Sequence, residues 1–231
     1  MNKITLQIFT YIFFPIILLV IPQQVSCSPE AKEKKATPIR IDSIAVVPFF
    51  KGKDIEQIND PMNKTLSCPL VGLCFNEDIY RPGAEKKVAR YANDALSKKF
   101  HERLVPFEEV KQTYEGLSVD PKIDTPRIVA QKLGKALRTD YVLVGAVWRY
   151  TDRIADNGST KIPASVAFVM YLVHVESGDR LWKKAFDKTQ KTLTENVLEA
   201  KDFFQQGARW LTADELAHFG VKEIMKDFPA N

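Results

Sequence analysis

The chain has 231 residues, of which 45% are apolar and 27% charged, with a formal net charge of +4. Length and apolar content suit one globular domain with a sizeable core. The charge is too small for the concentrated basic surface that nucleic-acid binding needs, so nucleic acid is excluded as a partner.

The amino terminus reads as a secretory signal. Lys3 supplies a positive start, no charge follows from Ile4 to Pro22, and Ile16 to Ile21 is the apolar centre. Pro15 and Pro22 interrupt the run, and polar residues follow it directly, which favours a cleaved signal over a spanning helix. Val25-Ser26-Cys27 then resembles a lipobox, with Gln24 where the pattern usually has Leu. Cys27 is therefore the expected lipidation site, ordinary cleavage nearby being the alternative. Several acyl chains, each buried CH₂ worth ~0.8 kcal/mol, would hold the chain to a membrane. Ser28 after the Cys implies the outer membrane by resemblance to enteric lipoproteins. Residues 1–26 are thus a signal peptide, and 27–40 the lipid-attachment Cys with a charged, proline-containing linker that spans at most ~45 Å when fully extended.

Residues 41–231 are expected to form a single α/β domain with an inserted loop at 51–83. Ser43 to Phe50 is nearly continuously apolar, which predicts a central strand covered on both faces and ended by Pro48. The 51–83 segment carries Pro61, Pro69, Gly72, Pro82 and Gly83 and has no sustained period. Loops longer than ~12–15 residues are often functional. Cys68 and Cys74 lie within it and, once Cys27 is lipidated, form an even pair. An oxidising periplasm favours a disulfide between them over free thiols; no third Cys or His is spaced for zinc. The stapled apolar stretch, with Leu70, Val71, Leu73, Phe75 and Tyr80, is the candidate partner-binding loop, since a closed loop loses less entropy on binding. The competing reading is a lid over the domain's own core.

Helices are predicted at 84–104, with Val88, Ala92, Ala95, Leu96 and Phe100 as one stripe, at 108–115, and from Thr125-Pro126, with Ile128, Val129, Leu133, Ala136 and Leu137 on its apolar side. Leu104 to Phe107 reads as a short strand. Strands are predicted at 141–150, 164–176 and 179–190, the last two joined through Ser177-Gly178. Asp156-Asn157-Gly158 marks a turn. Thr212-Ala213-Asp214-Glu215 is a capping box with Leu211 and Leu216 placed as its staple, and Leu216, Ile224 and Phe228 are assigned to the core. The fold class is therefore α/β, a mixed sheet of about four to five strands flanked by helices.

No phosphate-binding glycine loop, metalloprotease motif or nucleophile elbow is present. His101, His174 and His218 fall on separate elements, so no catalytic residue, metal or cofactor is assigned. Asp152-Arg153 and Asp156-Asn157-Gly158 lack the closing Glu of a calcium loop and read as turn chemistry. Trp148, Trp182 and Trp210 are read as core or half-core, Trp182 sharing a strand face with Phe186.

Ser43 to Phe49, Thr139 to Val147, and Ala167 to Val175 followed by Ser177-Gly178 and Leu181-Trp182 resemble three segments of the CsgG/LpoB/TolB-amino-terminal-like superfamily. The likeness covers most of 43–190 and implies an anticodon-binding-domain-like sandwich in an envelope lipoprotein. The chain departs from the curli pore in lacking paired membrane hairpins, and from the penicillin-binding-protein activator in its short linker. Together these features lead to the expectation of a non-catalytic binding or scaffold module, facing the periplasm from the membrane that holds Cys27 and contacting an envelope protein. The alternative is a subunit of a secretion or assembly complex similar to the curli secretion lipoprotein, which would make the chain a homo-oligomer. An envelope hydrolase is the third reading.

Overall fold

A computed structural model of the chain describes residues 39–52, 66, 69–70, 80–156, 159–190 and 211–229. In chain order the elements are β1 (Ile44–Val46), β2 (Phe50–Lys51), α1 (Ala84–Phe100), α2 (Phe107–Glu115), α3 (Pro126–Leu137), β3 (Tyr141–Thr151), β4 (Ile154–Asp156), β5 (Ser159–Ile162), β6 (Ser165–His174), β7 (Arg180–Thr189) and α4 (Ala213–Met225). A short 3₁₀ turn, His101–Arg103, follows α1.

The main sheet is mixed and has five strands. Its order is β1, β3, β6, β7, with β2 continuing the line of β1 along β3. β1 and β2 run parallel to β3, and β6 runs antiparallel to both of its neighbours, β3 and β7. Gly178, at φ 73°, turns β6 into β7. It takes the left-handed conformation that closes the longer 175–179 loop, its N–H donating to the His174 carbonyl at 2.8 Å. The fold is thus the expected α/β arrangement of a mixed sheet and helices.

Alternation along each strand divides the core in two. Ile44, Val46, Leu143, Phe168, Met170, Leu172, Trp182 and Phe186 face α1 and α4 in one cluster. Ala45, Val47, Val142, Val144, Val169, Tyr171 and Val173 face α2 and α3 in the other. Buried strands covered on both faces read as continuous apolar runs, which is why the sequence of β3 and β6 shows little alternation. Gly145 in β3 makes room for the Phe49 ring beside it: a Cβ there would stand 2.5 Å from that ring and 2.7 Å from the Val169 carbonyl oxygen of β6.

Four expectations need correction. The Ser43–Phe50 run is covered on both faces but lies at the border of the sheet rather than its centre. Its outer edge is not open: Leu104 bridges Ile44, and the Val105 N–H donates to the Ile44 carbonyl at 2.9 Å. That contact satisfies an edge that would otherwise need water. Pro48 interrupts the run between β1 and β2 and does not end it, and Leu104 forms this single bridge in place of a strand while Phe107 already opens α2. On α3 the buried side is Pro126, Val129, Ala130, Leu133 and Gly134, whereas Ala136 is exposed. Gly134 lets the helix settle on Val175 and Val142, and that rotates the stripe away from Ala136.

The helix caps follow the sequence. Thr125 accepts from the Ile128 N–H at 3.2 Å, and Pro126 occupies the first turn. Thr212 and Glu215 form the reciprocal box at α4, and Leu211, Leu216, Ile224 and Phe228 are all buried.

Candidate functional site

The sheet has two chemically different ends. At one, the described chain begins: the Ile39 N–H donates to the Pro229 carbonyl at 2.6 Å, beside the C-terminus of α4. At the other, the chain leaves the sheet at Gly52, Thr151 and Gln190 and comes back beside it at Tyr80, Ser165 and Leu211. The returning end of the predicted 51–83 loop therefore meets α1, α4 and the end of β3 in one place, and polar side chains converge there.

Asp214, in the first turn of α4, is the centre of this cluster. Its carboxylate accepts from Arg81 Nη2 at 2.9 and 3.0 Å, from Lys87 Nζ at 2.6 Å and from the Tyr150 hydroxyl. Arg81 also donates to Asp152, and its guanidinium lies 5.4 Å from the Tyr150 ring centroid. Asp152 in turn accepts from the Ala213 N–H at 3.2 Å, at the amino end of α4. Burial by itself would push the Asp214 carboxyl up, but the bonds from Lys87, Tyr150 and Arg81 outweigh it and hold the group at about 2. Burial, followed by the bond to Asp214, raises the Tyr150 phenol well above its ordinary value. The bond to Asp152 is the largest cause that raises the Arg81 guanidinium.

A β-bulge makes the cluster possible. The register of β3 against β6 shifts at Trp148, so that Val147 pairs with Phe168 but Arg149 pairs with Ala167. Strict alternation would put Tyr150 on the same face as Trp148. The extra residue turns Tyr150 to the α1–α4 face, where Asp214 stands. No local sequence signal marks this, because the partners of Asp214 are 64, 127 and 133 residues away along the chain. The only clue was the change from apolar to polar at the end of β3.

Chemically the cluster is a brace. Every charged group in it is held by another, and no side chain in it has the free nucleophile–base pairing that acyl or phosphoryl transfer requires. Next to it, Tyr80 is buried, bridges Tyr150 through the backbone, accepts from the Glu85 N–H at 3.1 Å and donates to the Glu85 carboxylate. Burial first, and then Glu85, raises the Tyr80 phenol.

Of the predicted loop residues, Tyr80 is thus in the first core cluster, and Leu70 is half-buried against the second, its N–H donating to the Asp124 carbonyl at 3.0 Å. Leu66 is fully buried in the same second cluster. Val71, Leu73, Phe75, Cys68, Cys74 and Cys27 lie outside the described residues. The histidines are apart: His101 follows α1, His174 ends β6 against Tyr141, and His218 meets the edge of Tyr91 on α4. Among the described residues, no group of three or more His, Cys, Asp or Glu side chains is placed to hold a metal ion, and no helix is long and apolar enough to cross a membrane. Trp148 and Trp182 are buried in opposite clusters, and Trp210 lies outside the described residues.

Beyond the brace, the β4–β5 hairpin presents an apolar pair. Ile154 and Ile162 are cross-strand partners and are 50% and 40% exposed. The sequence reading placed only a turn here.

No protein-family model matches the chain. No curated protein matches it either. Among solved structures, it is similar to the PelC dodecamer subunit from Paraburkholderia phytofirmans at 14% identity, covering 85% of this chain and 94% of that one, with a TM-score of 0.48. The LpoB C-terminal domain from Salmonella enterica is similar at 15% identity over 68% of this chain and 89% of that one, TM-score 0.37. The lipoprotein GNA1162 from Neisseria meningitidis is similar at 17% identity over 71% and 95%, TM-score 0.36. Likenesses of this size say nothing of what this chain binds.

Proposed function

We propose that the chain is a lipoprotein of the cell envelope, anchored through acylated Cys27, whose folded domain is a non-catalytic binding or scaffold module. The observation that carries this reading is the amino-terminal sequence: a basic start, an uncharged apolar run and Val25-Ser26-Cys27, followed by a short charged linker. The outer membrane, facing the periplasm, is the location this reading selects, with Cys68 and Cys74 joined as a disulfide.

The two ends of the domain support a division of labour. The described domain is entered at Ile39; the brace and the exposed Ile154–Ile162 pair lie at the opposite end of the sheet. An envelope protein would meet that end. Tyr80 and Arg81 then serve to root the 51–83 loop, and Val71, Leu73 and Phe75 supply its contact surface.

Intact mass and membrane fractionation of the native protein, beside a Cys27→Ala variant, test the anchor. A mature chain beginning at a triacylated or diacylated Cys27, with the variant lost from membranes, is the expected result. An unacylated native chain in the soluble fraction overturns it. Photo-crosslinking in cells from position 154, compared with position 138 at the opposite end, tests the partner. A discrete protein adduct is expected from 154; adducts from neither position count against the binding role.

A further inference from the structure

A cleft of about 340 Å³ opens at the end where the chain enters, between the C-terminus of α3, the start of β3 and the end of β6. Its floor is tight, because the absent side chain of Gly134 lets Val175 press on the helix, and the Val175 N–H donates to the Asp140 carbonyl at 2.9 Å. The side chains of Lys135 and Arg138 are exposed at its rim and have no hydrogen-bond or ion-pair partner among the described residues. Arg138 sits at φ 53° at the end of α3, a left-handed position ordinarily given to glycine. An arginine kept in a strained backbone conformation at a cleft is an outlier that points to use. Asp140, which accepts from Ser43 Oγ at 3.0 Å, and Glu176 also line it. His174 lines it too, with Nδ1 engaged by Ser177 Oγ at 3.0 Å.

Cations and carboxylates share this one cleft, and that pattern selects the ligand. An anion alone would face Asp140, Glu176 and the carbonyl end of α3. A simple cation would face Lys135 and Arg138. A zwitterion satisfies both sets, its phosphate on the cations and its ammonium on the carboxylates, through charge-assisted hydrogen bonds. We propose that the cleft binds a phosphate ester carrying a primary ammonium, and that its source is the phosphoethanolamine headgroup of a membrane lipid. The position supports the lipid source: Ser43, which holds Asp140, closely follows Ile39, and residues 27–38 span at most ~40 Å. This step rests on the anchoring of Cys27 proposed above.

The test uses the full mature chain with Cys27→Ala, so that no acyl chain contributes. Co-sedimentation is measured with equimolar phosphatidylethanolamine–phosphatidylcholine vesicles, with phosphatidylcholine alone and with phosphatidylglycerol–phosphatidylcholine. Calorimetry follows soluble phosphoethanolamine and phosphocholine. Binding is expected on the ethanolamine vesicles, competed by phosphoethanolamine and not by phosphocholine, which has no N–H to donate. Arg138→Glu, and separately Lys135→Glu, should each weaken it about tenfold while leaving the circular-dichroism melt unchanged. Equal binding to all three vesicles, preference for phosphatidylglycerol, or an unaffected Arg138→Glu chain overturns the proposal. Binding of soluble phosphoethanolamine without vesicle binding overturns the lipid source. Fractionation of the native protein reads the anchor separately, so a failed anchor and a failed cleft give different results.

Discussion

The two ends of the sheet use charge in opposite ways. At the brace end, Arg81, Lys87, Asp152, Asp214 and Tyr150 satisfy one another, and the result joins three elements that are far apart in sequence. At the entry end, Lys135 and Arg138 have no partner among the described residues, and Arg138 is held in a left-handed backbone conformation. A saturated cluster contributes to stability. An unsaturated one contributes little and leaves its charges to solvent or a ligand. Charge content alone does not separate these roles; the partners do.

Removing the centre of the brace should have the largest effect. Asp214→Ala leaves the Lys87 ammonium and the buried Tyr150 phenol without this acceptor, and Arg81 with Asp152 in place of two carboxylates. The Asp214 side chain is still 35% exposed, so water screens part of the loss. A cost of about 2 kcal/mol is expected, read from urea unfolding. A change below ~0.5 kcal/mol would mean that the cluster does not brace the fold.

Acid should act on the same group. The Asp214 carboxyl is held at about 2, below the ordinary aspartate value near ~3.9. Its contribution is therefore fully present above pH ~4 and is lost as pH falls towards 2. Stability measured across that window should fall less steeply in Asp214→Asn than in the parent, because asparagine has no proton to take up. Parallel curves would place the acid sensitivity elsewhere, with Asp124, lowered chiefly by its bond from Lys132, as the next candidate.

The cap of α4 is a smaller contribution to the same end. Thr212→Ala removes the acceptor for the Glu215 N–H, bonded at 3.2 Å, and should cost about 1 kcal/mol in thermal or urea unfolding. At the entry end the sign should reverse. Arg138→Gly relieves the left-handed backbone and loses no ion pair, so a gain of up to about 0.5–1 kcal/mol is expected. A loss on unfolding would show that Arg138 has a structural partner after all and would remove the contrast between the ends.

Much of the secondary structure was legible because its signals are local. The stripe at Val88, Ala92, Leu96 and Phe100, the caps at Thr125 and Thr212, and the hairpin at Ser177-Gly178 each repeat or punctuate within a few residues, and the structure uses them as written. The misreadings came from context. The apolar run at 43–50 looks central because an edge strand covered by Leu104 and Val105 is as buried as a central one. The stripe of α3 was displaced because a glycine, silent in a hydrophobic pattern, makes the closest approach to the sheet.

The sequence by itself determined the α/β class, the helix caps and the two-sided apolar strands, because capping and periodicity act over a few neighbouring residues. Only the tertiary structure decided that Tyr150 turns towards α4, that Asp214 gathers Arg81 and Lys87, and that Lys135 and Arg138 share a cleft with Asp140 and Glu176. The first depends on one bulged residue in β3, and the others on which helix ends the sheet brings together. Pairings across more than a hundred residues are set by the path of the chain and leave no trace in local composition.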